Sequence, residues 1–545
     1  MKGELAIANI LKKEETDYLF CYPANTLIEA AASLGIEPIM SRTERATVNM
    51  ADGYTRTMSG KKNGIVVTQT GPGIENAFSG VAHAFAESVP IFVIPGGTAN
   101  ARLGQSPDFR SSEVYRPVTK WSDRINQLDR IPEMMRRGFT YLRSGRGRPV
   151  LLEVAQDVAQ GEFDDSKLNY EKVKFNKTAA DPNDIRKTIE MLLKAKNPVL
   201  YAGAGILWAE ATSDLIEFAE LLNAPVLTSN TGKSGFPEDH PLSLGTGGNT
   251  YTKAVKVFLD KSDLIFGLGC SFTTNLASIG VPTGKTLIQV NVDEIDLNKE
   301  QQLDHSLMGD LSLVLPQLIE ELKKQAGEEA RKGTGNVEQE IKKVKDEWLD
   351  EWMPLLTSNE APINPYRIIW DFMNTVDRSN TILTHESGHP RDQTIPFYQT
   401  VTPRSYMGWA NSSQLGYSLG ISMGAKLAAP DKTVAAIMGD ASIGMCGMDI
   451  ETAVRHKIPV LLIVFNNHVL SGYSVNYPKA TENFGFTNLY GEYAKLATAL
   501  GAHGERVEDP SEIIPSIKRA QEVMNTGKPV LLEFMTKEEN RLCRG

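Results

Sequence analysis

The chain has 545 residues, 41% hydrophobic and 23% charged, which is enough for about three globular domains of ordinary size. A formal net charge of −10 argues against a nucleic-acid surface, because phosphate backbones select basic faces. The four cysteines (Cys21, Cys270, Cys446, Cys543) lack CxxC spacing, which argues against a disulfide framework or zinc site and fits a cytoplasmic protein; no apolar run is long enough for a membrane span.

The N-terminal MKGELAIANILKKEETD reads as an amphipathic helix rather than a signal peptide. Residues 1–165 then alternate strand and helix. Strands are expected at 18–23, 38–41, 64–70 and 90–94, and helices at 26–33, 44–57 and 76–87. This is the pattern of an α/β doubly wound domain with a parallel sheet. It closes on the sequence GRPVLLE at 147–153.

A second α/β unit spans 182–325, with strands at 198–202, 225–228, 263–268 and 286–292. Gly203-Ala204-Gly205 and Gly267-Leu268-Gly269 follow strands, as either nucleotide-binding turns or tight strand–helix turns do. Residues 326–360 are rich in charge and read as a helical connector with a solvated face. The third α/β unit, 361–545, ends on GKPVLLE at 527–533 and so nearly repeats the close of the first. Either this is a good turn into a buried strand, or the first and third units are related and face one another.

The densest chemistry lies in the third unit. Residues 433–438 and 459–465 are apolar runs that read as buried strands, with a helical crossover at about 446–456. Such a βαβ unit is parallel, so Gly439-Asp440 and Asn466-Asn467 leave the sheet at the same carboxyl edge, where α/β proteins bind ligands. Asp440 and Asn467 are 27 positions apart and offer one carboxylate and one amide oxygen. With the carbonyl of Val469 they could share a small hard cation such as Mg²⁺, which keeps water and ligand phosphates in its shell. Ala441 and Ser442 bring N–H groups and a hydroxyl suited to phosphate oxygens. The alternative is an ordinary βαβ turn with polar residues capping the strand ends.

Gly439-Asp440-Ala441, followed after helix and strand by Asn466-Asn467, resembles the thiamine diphosphate signature Gly-Asp-Gly…Asn-Asn, with Ala441 in the third place. The resemblance covers nearly the whole chain. Residues 18–155 are similar to the pyrimidine-binding domain of the acetolactate synthase, pyruvate oxidase and benzoylformate decarboxylase group. They carry Tyr22-Pro23, Arg42-Thr43-Glu44, Met50-Ala51-Asp52-Gly53-Tyr54, Thr70-Gly71-Pro72-Gly73, Asn76 and Ser88-Val89-Pro90. The third unit resembles the diphosphate-binding domain, and the second the central Rossmann-like domain.

This resemblance implies roles. Glu44 is the activating acid: set against N1′ of the aminopyrimidine, it favours the imino tautomer that takes the C2 proton. Leu415 is the wedge that folds the two rings together, and the Ser413 carbonyl accepts from the 4′-amino group. Ser387, Gly388 and His389 approach the diphosphate with Gly439, Asp440, Ala441 and Ser442. Asp440, Asn467 and Val469 hold Mg²⁺, while Pro23, Gly73 and Asn76 line the pyrimidine side. Gln69, Thr70, His83 and Arg110 are the substrate-side candidates. Here the chain departs from relatives, since acetolactate synthases carry Gln and Asp where Arg110 and His83 align, and Gln69 aligns with the active-site histidine of benzoylformate decarboxylases. Cys270-Ser271-Phe272 replaces the Arg-Phe pair that holds FAD, leaving FAD or ADP in the central domain open.

The activity implied is decarboxylation of a 2-oxo acid with transfer of the acyl carbanion to a second carbonyl. The alternatives are simple decarboxylation or lyase chemistry on acyl-CoA. Other classes are a flavin or nicotinamide oxidoreductase and a non-catalytic subunit of the same fold. The family also implies a homodimer or tetramer with sites at the subunit interface, Glu44 of one chain serving the metal site of its partner.

Overall fold

The structure, a computed structural model, describes residues 1–275, 277–333 and 335–545. These residues form three parallel sheets of six strands each. The first comprises β1 (Tyr18–Cys21), β2 (Glu37–Met40), β3 (Ile65–Thr68), β4 (Phe92–Gly97), β5 (Trp121–Ile125) and β6 (Val150–Ala155), in the order 2-1-3-4-6-5. The second comprises β7 (Pro198–Ala202), β8 (Val226–Ser229), β9 (Ser243–Gly247), β10 (Leu264–Leu268), β11 (Thr286–Asn291) and β12 (His305–Met308), in the order 12-11-10-7-8-9. The third comprises β13 (Thr381–His385), β14 (Tyr406–Met407), β15 (Thr433–Gly439), β16 (Leu461–Asn466), β17 (His503–Val507) and β18 (Val530–Met535), in the order 14-13-15-16-18-17.

Counted within each unit, the third sheet repeats the first strand for strand, whereas the middle sheet has the 3-2-1-4-5-6 order of dinucleotide-binding folds. Central strands such as β3 and β16 are buried along their whole length, which is why their sequences are continuous apolar runs rather than alternating ones.

The repeated GxPVLLE has a shared physical cause. Glu153 on β6 and Glu533 on β18 are both buried. Glu153 accepts from the Ser112 N–H at 2.9 Å, and Glu533 from the Ala494 N–H at 2.9 Å. Each donor lies in the first turn of the helix preceding the edge strand, where backbone N–H groups have no intrahelical acceptor. The two glutamates therefore cap equivalent helices from equivalent strands.

The first and third units share one apolar core that joins Phe20, Val48 and Val66 to Trp409, Tyr417, Leu419 and Ile421. Its seam is the helix Glu44–Thr57 packed on the helix Ser418–Ala428. Their backbones touch, since a Cβ added at Gly424 would lie 1.9 Å from the Met50 carbonyl oxygen.

Three expectations are corrected. The helix expected at 76–87 begins earlier, at Pro72, because Gly71 and Pro72 form a helix start. The crossover expected as one helix is two, Asp440–Cys446 and Ile450–Arg455, broken by a 3₁₀ turn at Gly447–Asp449. Asp449 fixes that break, accepting from the Arg42 N–H at 2.7 Å and the Thr452 hydroxyl at 2.9 Å. Finally, the charged connector is not solvated throughout: its helix Val337–Leu356 buries Ile341, Trp348, Trp352 and Leu356. Trp348 stacks on Phe397 with ring centroids 5.1 Å apart.

Candidate active site

The candidate residues of the first unit leave the carboxyl ends of adjacent strands. Pro23 follows β1, Glu44 follows β2, and Gln69, Thr70 and Gly73 follow β3. Thr43 caps the helix that Glu44 opens, its hydroxyl accepting from the Ala46 N–H at 3.2 Å. The Glu44 side chain is 6% exposed and accepts from the Asn76 amide at 3.3 Å. Gly73 closes over it, since a Cβ there would sit 3.4 Å from Glu44 Oε1. The same helix start is tied to the third unit, where Arg45 Nη2 donates to the Met445 carbonyl at 3.0 Å and Arg42 N to Asp449.

The substrate-side candidates do not cluster. Gln69 and Thr70 are half-buried at the sheet edge beside Gly73. His83 is fully buried between the units, stacked on Tyr417 at 3.8 Å and against Trp409 at 5.2 Å. Burial, with nearby Arg56, pushes its pKa well below the usual imidazole value. Arg110 lies exposed on the loop between β4 and β5, paired with Asp108 at 3.1 Å and Glu113 at 3.3 Å.

The third unit presents its candidates from the equivalent edge. Ser387, Gly388 and His389 follow β13, Ser413 and Leu415 follow β14, Asp440 to Ser442 follow β15, and Asn467 and Val469 follow β16. The register pairs Gly439 with Phe465, so Asp440 and Asn467 emerge from neighbouring strands at nearly the same height. Of the two asparagines, Asn466 is structural, its amide donating to Glu533 at 2.7 Å, and Asn467 faces the loop.

Asp440 is 4% exposed. Its Oδ1 accepts from the Ala441 N–H at 2.8 Å, while Oδ2 is buried without a hydrogen-bond partner. Burial raises its pKa. An orphaned carboxylate oxygen beside an amide and a carbonyl fits a hard divalent cation. Asn467 Oδ1 accepts from the Val469 N–H at 3.1 Å, which holds that turn closed. The Ser442 hydroxyl bonds the Gly439 carbonyl at 2.7 Å. His389 lies against Gly472, in the loop that follows Asn467.

Sequence reading missed three carboxylates that organise these loops: Glu87, Glu386 and Asp449. Glu386 directly precedes Ser387-Gly388-His389, and Glu87 directly precedes Ser88-Val89-Pro90. Glutamate is usually a surface residue, so only the tertiary fold marks these two as buried.

The middle unit contributes a cavity of about 620 Å³ at the carboxyl ends of β7 and β10, bordered by Trp208, Cys270, Phe272, Asn291 and Asp310. The glycine turns beside it serve packing. Gly203 N donates to the Leu268 carbonyl at 2.9 Å and Gly205 N to the Gly269 carbonyl at 3.0 Å, so these N–H groups are already used.

Two copies of one sheet topology, with a buried acid at the carboxyl edge of the first and a buried carboxylate with an unpartnered oxygen at that of the third, fit a cofactor-dependent α/β enzyme. Comparisons with known proteins agree. Residues 1–115, 185–318 and 387–534 match the N-terminal TPP binding domain, the central domain and the C-terminal TPP binding domain of thiamine pyrophosphate enzymes. A protein of Methanococcus aeolicus named probable acetolactate synthase large subunit is 30% identical, covering 98% of this chain and 92% of its own. The acetolactate synthase isozyme 3 large subunit of Escherichia coli (strain K12) is 26% identical over 98% of this chain and 94% of its own. Glyoxylate carboligase of Escherichia coli O157:H7 is 25% identical over 100% and 95%. Benzoylformate decarboxylase from Polynucleobacter necessarius shares the fold, with a TM-score of 0.84 over 99% of both chains at 21% identity. The chain belongs to the thiamine pyrophosphate enzyme family. It is a thiamine-diphosphate-dependent enzyme of the carboligase and decarboxylase kind. Among the described residues, no helix is long and apolar enough to cross a membrane.

Proposed function

We propose that the enzyme decarboxylates a 2-oxo acid and transfers the acyl fragment to a second carbonyl, as its acetolactate synthase relatives are named for doing. The observation that carries this reading is the buried, partnerless Oδ2 of Asp440 at nearly the same strand height as Asn467. Asp440, Asn467 and the Val469 carbonyl would ligate Mg²⁺, and Ser442 with Ser387, Gly388 and His389 would face the diphosphate. When bound, thiamine diphosphate supplies the electron sink for cleavage next to a carbonyl. Glu44 would hold a proton at the pyrimidine N1′, its burial keeping that exchange away from bulk water. Ser413 would accept from the 4′-amino group, and Leu415 would press the rings together.

Calorimetry with thiamine diphosphate plus Mg²⁺, followed by product analysis with pyruvate, tests the reading. Binding with acetolactate formed supports it; acetaldehyde alone points to simple decarboxylation; no binding overturns it.

We adopt units 1–165, 182–325 and 361–545, joined by 326–360, as the functional domains, and place the protein in the cytoplasm, since its four cysteines are buried and unpaired. A homodimer, or a tetramer built from dimers, is proposed from apolar side chains left open around the site. Phe78, Met445 and Met448 are 37%, 51% and 48% exposed and flank Asn76 and the Asp440 helix, a surface a second copy would cover. Sedimentation showing only an active monomer would remove this element. The middle cavity is of a size for a nucleotide such as FAD or ADP, and the absorbance spectrum of purified protein distinguishes the flavin.

A further inference from the structure

We propose that Glu87 and Glu386 are positioning residues that clamp the two ends of the loop 408–418 and so place Ser413 and Leu415 for the cofactor ring, an inference that rests on the cofactor reading above. The loop leaves β14 and enters the helix Ser418–Ala428. All three units hold its first half. Arg56 Nη1 donates to the Gly408 carbonyl at 3.0 Å, Asn230 Nδ2 to the Trp409 carbonyl at 3.2 Å, and Trp409 Nε1 to the His385 carbonyl at 3.1 Å. Glu87 then accepts three successive backbone N–H groups at one oxygen: Ala410 at 3.0 Å, Asn411 at 2.6 Å and Ser412 at 2.9 Å.

Glu386 closes the other end. Its Oε2 accepts from the Gly416 N–H at 3.1 Å and the Ser387 N–H at 3.3 Å, and its Oε1 from the Ser418 N–H and hydroxyl, both at 2.7 Å. Gly416 suits the bend between, with φ of +76° and a Cβ position 2.8 Å from both Arg45 and Met445 atoms. None of the described hydrogen bonds uses a backbone group of Ser413, Gln414 or Leu415. The two clamps thus hold the loop on either side of the stretch assigned to the ring.

The clamps require carboxylates. An ionised carboxylate only accepts, so it can take several converging N–H groups; a glutamine amide brings two donors of its own among them. Both glutamates are buried, which pushes their pKa values up, and the convergent N–H groups offset that burial. Glu87 also caps the helix Pro72–Ala86, whose opposite end carries Gly73 and Asn76 beside Glu44. One rigid rod therefore links the contacts of Glu44 to the loop carrying Leu415.

Hydrogen exchange on cofactor-free, full-length protein tests this directly. Glu87→Gln should speed exchange at 410–412 by about tenfold or more while leaving β3 and β16 protected. With thiamine diphosphate and Mg²⁺ it should lower kcat more than it raises the substrate KM, weaken cofactor affinity about tenfold, and alter the near-UV circular dichroism of the bound ring. Glu87→Asp should restore part of each. Ser418→Ala, which removes one bond to Glu386, should loosen 416–418 without affecting 410–412. Unchanged exchange at 410–412 in Glu87→Gln, or a wild-type ring signature, would overturn the proposal. If that variant does not fold, Glu87→Asp is judged by the same readouts. Wild-type protein that binds no cofactor would refute the cofactor reading instead, and the exchange comparison would still report on the clamps.

Discussion

The first and third units share a strand order and a pair of capping glutamates, yet offer different chemistry from matched positions. After the second strand of each, the first unit places Glu44 and the third places Ser413 and Leu415. After the third strand, the first unit gives the Thr70-Gly71-Pro72-Gly73 turn and the third gives Asp440. One architecture is thus used twice, with different residues set into the loops at the carboxyl edge. The middle unit, built on another strand order, shares neither the capping glutamates nor the loops.

The most direct way to break the comparison is to remove the side chain without a counterpart in the first unit. Asp440→Ala should abolish Mg²⁺-dependent cofactor binding by calorimetry and all turnover, and chelation of the wild type should reproduce that loss until Mg²⁺ is restored. Glu44→Gln should act differently, binding cofactor with near-native affinity while steady-state kinetics show kcat reduced by about 10²–10⁴-fold, the range of lost acid–base catalysis. Leu415→Ala should cost less, roughly tenfold to a hundredfold in kcat, through misplacement of the ring. The smallest effects sharpen the shared part of the scaffold. Glu533→Gln should lower stability by about 1–3 kcal/mol, the cost of disturbing a buried hydrogen-bonded group, and Glu153→Gln by more in denaturant midpoints, because it also leaves the Arg124 guanidinium without its counter-charge.

The same contrast explains what the amino-acid pattern discloses. Long buried strands announce themselves: 198–202 is found as Pro198–Ala202, and the helix expected at 44–57 is Glu44–Thr57, started by its Thr43 cap. Edge strands are less consistent. The strand expected at 38–41 is found as Glu37–Met40, but Ser243–Gly247 contains two glycines that carry no side chain to pattern, and His503–Val507 is largely polar. The carboxyl-edge placement of Asp440 and Asn467 was readable because strand ends fix it. The burial of His83 against Tyr417 was not, because it arises only when two distant units close on each other. Glu87 was hidden for the same reason, its partner lying 323 residues away in the third unit, and Glu386 because its partner lies 30 residues away across a loop of its own unit.

The seat of Gly424 on the Met50 carbonyl, and of Gly53 on the Ile421 carbonyl, interlocks the two helices at the centre of the shared core. A seam locked in this way resists a jaw-like opening between the two units. The aromatic stretch between Tyr473 and Tyr490 stands apart from that seam, its rings exposed on the surface segment that follows Asn467.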